Sequence, residues 1–238
     1  RSFTIPAGWK NKEIFLRMEK TASASFVWIN GREAGYNEGA QEPAEYNITK
    51  YLRPGKNTIA VMVLKYCDGY YLEDQDYWRL SGIFDDIWLS ARNSTFIFDW
   101  TAVTDLDDKY ENAELGLTID VRNNGQNPVR GLSIRAHLFG SDGKPLITLN
   151  SGRFDIMSDQ KNTIRLSDHV ARPALWSAEF PALYSLAMEL IDDKGAVIEV
   201  VSGKIGFKET EIRDRVFHLN GVPLKLNGIN SHMQHPLL

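Results

Sequence analysis

The chain has 238 residues, 43% hydrophobic and 24% charged, enough for one large domain or two ordinary ones with buried cores, which excludes a disordered polypeptide. A formal charge of -4 without any Lys/Arg cluster excludes nucleic acid as the main partner. The single cysteine, Cys67, excludes an intrachain disulfide framework and a cysteine-based zinc site, and no apolar run reaches the roughly 18 residues of a membrane-spanning helix.

Alternation with a period of two dominates from the start. The opening Arg1-Ser2-Phe3-Thr4-Ile5 reads like the middle of a strand, and residues 230–238 close no element, so both ends are expected to be cut. Ile14, Leu16 and Met18 alternate with Phe15 and Arg17 as in a half-buried strand. Residues 25–29 run into Asn30-Gly31, a two-residue hairpin signal because both turn positions need φ > 0. Ala34-Gly35-Tyr36 then belongs to the returning strand. Residues 46–52 are expected to form a short helical or irregular connector, Arg53 to Lys56 a turn, and residues 57–66 a β-branched strand buried on both faces. Cys67 is expected to be a small core filler or strand-end residue. Residues 87–90 read as a closing strand.

The polar run Ala91-Arg92-Asn93-Ser94 is a boundary. After it comes a strand with Phe96, Phe98 and Trp100 expected on one face. Leu115, Leu117, Ile119 and Val121 alternate before the Asn123-Asn124-Gly125 turn, and Leu132, Ile134, Ala136 and Leu138 repeat the pattern. Residues 141–145 close a hairpin. Further strands are expected at 163–166, 183–191 and 196–201, the last two joined by Asp192-Asp193-Lys194-Gly195. About seven short strands with turns every 8–12 residues or so suggest an immunoglobulin-like sandwich. The tail reads as a hairpin around Asn220-Gly221 and then a strand carrying Asn230 and His232 at its end, the geometry of an active-site rim in a β/α barrel. The fold class expected is therefore all-β.

The densest chemistry lies in residues 71–84. Carboxylates at Glu73, Asp74 and Asp76, the Gln75 amide, Tyr71, Tyr77, Trp78 and Arg79 share one short segment ending in Gly82-Ile83-Phe84. Carboxylates accept hydrogen bonds from sugar hydroxyls and rings stack on apolar pyranose faces. The competing reading is a polar loop capped by core aromatics.

The chain as a whole resembles the β-galactosidases of glycoside hydrolase family 2. The match includes Ile29-Asn30-Gly31-Arg32 with Gly35-Tyr36, Leu52-Arg53 with Gly55 and Asn57, residues 60–64, Leu72 to Asp76 and Trp78-Arg79. It continues through Pro173 with Leu175 to Glu179, Pro181 with Leu183-Tyr184, and Gly206-Phe207. It ends in Leu219-Asn220-Gly221 with Pro223-Leu224, then Gly228 with Asn230, His232 and His235-Pro236. The resemblance implies a jelly-roll sugar-binding domain over 1–92, an immunoglobulin-like β-sandwich over 93–208, and the start of a TIM barrel over 209–238. The family's two catalytic glutamates lie on later barrel strands, and no Glu or Asp follows Asp214. The chain is therefore expected to be the noncatalytic N-terminal region of a retaining β-galactosidase acting on terminal β-D-galactose, and inactive alone.

Residue by residue, Asp76 matches the family's aspartate that holds galactosyl hydroxyls and lends an oxygen to sodium, so it is expected to be a substrate-binding residue and a sodium half-site. The bland alternative is a surface acid pairing with Arg79. Glu73, Asp74 and Gln75 are expected to shape the loop, and Trp78, Arg79 and Phe84 to pack or pair within the domain. His232 matches the barrel histidine that stabilises the transition state, while His235 and Asn230 are assigned structural roles. The family's magnesium site lies outside these residues, and no sodium or magnesium is expected bound here. Expected partners are the β-galactoside, the barrel domain and further copies of the parent in a homo-oligomer, without nucleic acid or a membrane span. Ser231, Met233 and Gln234 depart from the family's Asn-Arg-His-Glu-His, which leaves the exact sugar open. A β-glucuronidase or β-mannosidase of the same architecture, or a stand-alone carbohydrate-binding sandwich, are the alternatives.

Overall fold

The computed structural model describes residues 1–39, 42–73, 80–141 and 143–230. Its described residues divide into two units, 1–93 and 94–229, each with its own core. Strands dominate both, as the period of two requires.

In the first unit the strands are β1 (Ser2–Thr4), β2 (Glu13–Met18), β3 (Thr21–Ala22), β4 (Ala24–Ile29), β5 (Arg32–Asn37), β6 (Ala44–Asn47), β7 (Lys56–Leu64), β8 (Gly82–Ile83) and β9 (Ile87–Arg92). One sheet runs β1-β7-β4-β5 and another β6-β2-β9, with β3 and β8 paired apart from them. Ile14, Leu16 and Met18 from one sheet meet Val27 and Ile29 from the other, together with Ile48, in a core from which water is excluded. Each such side chain contributes about 1.5–3 kcal/mol relative to leaving it exposed.

The β4–β5 hairpin turns at Asn30 (φ 53°) and Gly31 (φ 80°), the left-handed pair that Asn-Gly supplies. Other expectations need correction. Strand β7 is buried on one face only: Asn57 is fully buried while Thr58, Ala60 and Met62 point outward. Its sheet is covered on one side, so the apolar run does not mean two-sided burial. The connector at 46–52 is half strand: β6 pairs with β2, and only Thr49–Tyr51 forms a single 3₁₀ turn. Asp68–Glu73 is an α-helix, α1, where a loop was expected. Cys67 lies three residues beyond β7, half-buried, rather than filling a core.

A small residue is needed where the sheets meet. Val27 pairs with Gly35, and a Cβ on Gly35 would come within 2.2 Å of the Tyr46 ring of β6. Gly35→Ala is expected to destabilise this unit by about 1–3 kcal/mol through overpacking. Urea denaturation of the variant beside Gly8→Ala, whose Cβ would meet nothing within 4 Å, checks this.

The second unit contains β10 (Thr95–Leu106), β11 (Asn112–Asn123), β12 (Val129–Phe139), β13 (Pro145–Asn150), β14 (Phe154–Ile156), β15 (Gln160–Ala171), β16 (Tyr184–Ile191) and β17 (Val197–Ile205). Sheet β10-β11-β15 faces sheet β13-β12-β16-β17, with β14 paired to β12. Leu115, Leu117, Ile119 and Val121 interleave with Leu132, Ile134, Ala136 and Leu138 between them, the alternation read from the sequence. Phe96, Phe98 and Trp100 do not share a face. A bulge between Ile97 and Asp99 passes the inward position from Ile97 to Trp100 and leaves Phe98 49% exposed beneath the Arg122 guanidinium. Trp100 in turn lies over Gly203, whose added Cβ would come 2.5 Å from the indole ring.

Beyond the sandwich, β18 (Thr210–Arg213), β19 (Val216–Leu219) and β20 (Val222–Pro223) form a small antiparallel sheet, with Asn220 (φ 51°) and Gly221 (φ 75°) at the expected turn. Tyr110 from the β10–β11 turn donates to Glu211, and Arg213 donates to both, at 2.6 Å to the phenol and 2.8 Å to the carboxylate. These bonds hold the Glu211 carboxyl below the usual carboxylate range, Tyr110's first and Arg213's second. Residues 224–230 have no regular secondary structure and are mostly exposed, so the strand expected to carry Asn230 does not form here. A barrel strand is held by pairing on both sides, and no strand pairs with this segment among the described residues.

Candidate functional site

Asp74 to Arg79 lie outside the described residues, and so do residues 231–238; Asp76, His232 and His235 are therefore not placed. The structure does give the frame on either side of Asp76. Helix α1 brings the chain up with Tyr70 buried and Tyr71 and Leu72 exposed, and Tyr70 meets Tyr66 and Tyr71 edge to face at 5.1 and 5.4 Å. Leu80 leaves exposed, and β8 then pairs Gly82 and Ile83 with Ala22 and Thr21. The Phe84 amide donates to the Lys20 carbonyl at 3.1 Å. Phe84 is 47% exposed. Asn230 is exposed.

A group of polar residues that the sequence reading missed gathers beside this frame. Tyr36, near the end of β5, points to the same side as Glu38 two residues on, because successive side chains of a strand alternate. The turn after β7 brings Cys67 and Asp68 to them. Glu38, Cys67 and Asp68 offer one ligand atom each within 4.8 Å of one another, a sulfur and two carboxylate oxygens. A hydrogen bond with Glu38 is the main reason that the Asp68 carboxyl sits below its usual range, helped by backbone N–H groups of Asp68 and Gly69. Withdrawal of the phenol from water, then the hydrogen bond with Glu38 and the neighbouring negative groups, push Tyr36 up to about 12, although the residue keeps 43% exposure. This corner sets a phenol beside two carboxyl groups. The only signal in the sequence was the Tyr36–Glu38 alternation, since Asp68 is thirty residues away.

Comparison with known proteins bears on both units. Residues 1–93 match the family described as "Glycosyl hydrolases family 2, sugar binding domain", and residues 95–208 match "Glycosyl hydrolases family 2". A β-galactosidase of Priestia megaterium is 38% identical over 232 residues, which is 98% of this chain and 22% of that protein. One from Enterobacter cloacae is 37% identical, over 98% of this chain and 23% of that protein. Among solved structures, a Bacteroides uniformis β-glucuronidase superposes with a TM-score of 0.89 at 26% identity, over 98% of this chain and 29% of that one. The chain thus spans less than a quarter of the length of these curated relatives. Its first unit carries the sugar-binding domain and its second the domain that follows it, and the chain belongs to glycosyl hydrolases family 2.

Proposed function

We propose that this chain is the noncatalytic N-terminal portion of a retaining β-galactosidase, supplying scaffold and substrate-site residues to a catalytic barrel. The observation that carries the reading is 38% identity to a curated β-galactosidase across 98% of the chain, with the Leu72-Glu73-Asp74-Gln75-Asp76 run inside the matched region. In this reading Asp76 accepts hydrogen bonds from galactosyl hydroxyls, and its carboxylate is the half-site for sodium. His232 donates to a hydroxyl whose hydrogen bond strengthens as positive charge develops at the anomeric carbon. In this reading one glutamate attacks the anomeric carbon and forms a glycosyl ester, while the other protonates the leaving oxygen and then activates the water that hydrolyses the ester. Both belong to barrel strands beyond these residues, so the isolated chain turns nothing over.

A β-glucuronide is the second reading, favoured by the TM-score of 0.89 to the Bacteroides uniformis β-glucuronidase. Shape is shared across the family whatever the sugar, however, and identity is higher to the β-galactosidases. The longer natural protein is expected to hydrolyse nitrophenyl β-galactoside well above the corresponding glucuronide and mannoside. The 238-residue chain should leave all three intact. Preference for the glucuronide, or turnover by the chain itself, would overturn the proposal.

A further inference from the structure

The outward face of sheet β1-β7-β4-β5 is not the mixed polar surface that usually covers a sandwich. Phe26 sits between Tyr36 and Met62 in one cross-strand row, and Trp28 lies between Glu33 and Ala60 in the next. Phe26 and Trp28 are stacked with centroids 5.8 Å apart, and Phe26 and Tyr36 approach to 4.5 Å. Tyr36 and Met62 are 43% and 45% exposed, and Phe26 and Trp28 are half-buried. None of the four is part of either hydrophobic core. At one end of the rings stand the Glu38 and Asp68 carboxyls.

We infer that this face is a noncatalytic carbohydrate-binding platform that takes a neutral pyranose chain, its rings under the sugar and Glu38 and Asp68 accepting hydroxyl hydrogen bonds. The chemistry selects the occupant. Aromatic faces carry negative charge density that attracts the polarised C–H face of a pyranose, and carboxylates accept from its hydroxyls without offering donors. The same carboxylates, on a chain of net charge -4, repel phosphate headgroups and uronic acids, which disfavours an anionic lipid surface or an acidic glycan. Strand β5 is the edge of its sheet, so an oligosaccharide can run off the platform without meeting a further strand among the described residues. The inference goes beyond the catalytic reading above, because nothing in it requires a barrel.

The test is a titration of the chain with β-1,4-galactotetraose and cellotetraose, following the indole N–H resonance of Trp28, with polygalacturonate fragments as the acidic control. Saturable shifts at Trp28 with a neutral oligosaccharide and none with the acidic one are expected. Trp28→Ala and Tyr36→Ala should each weaken binding about tenfold, while Tyr36→Phe, which keeps the ring, should retain most of it. Unfolding midpoints confirm folding. Should Trp28→Ala fail to fold, Tyr36→Ala on the open edge strand decides alone. A motionless Trp28, affinity unchanged in the variants, or equal binding of the acidic chains would each overturn the inference. Nitrophenyl galactoside turnover by the longer protein should be the same with Trp28→Ala as without it. Loss of turnover in the unmutated protein would instead count against the catalytic reading and leave this one standing.

Discussion

Replacing Asn57 by alanine is expected to destabilise the first unit by about 3 kcal/mol, more than any substitution on its surface. Asn57 is fully buried, and its amide is used to capacity. The oxygen accepts from Asn30 Nδ2 at 2.7 Å and from the Arg53 backbone N–H at 2.9 Å, while the nitrogen donates to the carbonyls of Arg53 at 3.0 Å and Gly55 at 3.1 Å. Asn30 continues the network, donating to the Tyr51 carbonyl at 2.9 Å and accepting from the Thr58 amide at 3.0 Å. One side chain therefore ties the β4–β5 turn to the loop entering β7. Truncation strands partners that water reaches only in part, each costing about 1–3 kcal/mol. Asn57→Asp should be no rescue, because it keeps the acceptors, loses both donors and buries a charge. Hydrogen exchange gives the readout. Amides of β4 and β7 should exchange faster in the variant while those of β11 and β12 keep the wild-type rate. Unchanged protection in β4 would contradict the argument.

That network also shows what could be read before any coordinates. Asn30-Gly31 and Asn220-Gly221 announced their turns because each pair needs two positive φ values, a demand local enough to be written in two residues. Leu115 to Val121 and Leu132 to Leu138 announced facing strands because period two persists over whole strands. Features without a long repeat escaped. Helix α1 has six residues, too few for a 3.6-residue period to emerge, and the bulge at Ile97/Asp99 shifts a face by one residue without any marker in the sequence. Alternation also cannot tell which of two apolar faces is covered, so β7 was read as buried twice over and the Phe26–Trp28 face went unnoticed. The family was legible for a different reason. Its ordered motifs run from Ile29 to His235, and no periodicity would have supplied them. Asp76 and His232 were named through that resemblance alone.

Those two residues carry the largest effect expected on activity. In the longer natural protein, Asp76→Asn and His232→Ala should each lower kcat/KM for nitrophenyl galactoside by about 10²–10³, the range for removing one group that stabilises charge in a transition state. The partition between constants is the informative part. A hydrogen bond equally strong to bound substrate and transition state would raise KM and leave kcat alone. The proposed roles demand more, because hydroxyl hydrogen bonds tighten as the sugar flattens toward an oxocarbenium ion, so kcat should carry most of the loss. His232→Asn, which keeps a donor, should recover part of it. Substrates with the 2-, 3-, 4- or 6-hydroxyl removed one at a time identify which hydroxyl each residue serves. A variant lacking the partner side chain should be indifferent to loss of that one hydroxyl and sensitive to the rest. Were either variant to show only a lower unfolding midpoint with kcat intact, that residue would be scaffold, and the sugar-binding domain would reach the chemistry through its neighbours instead.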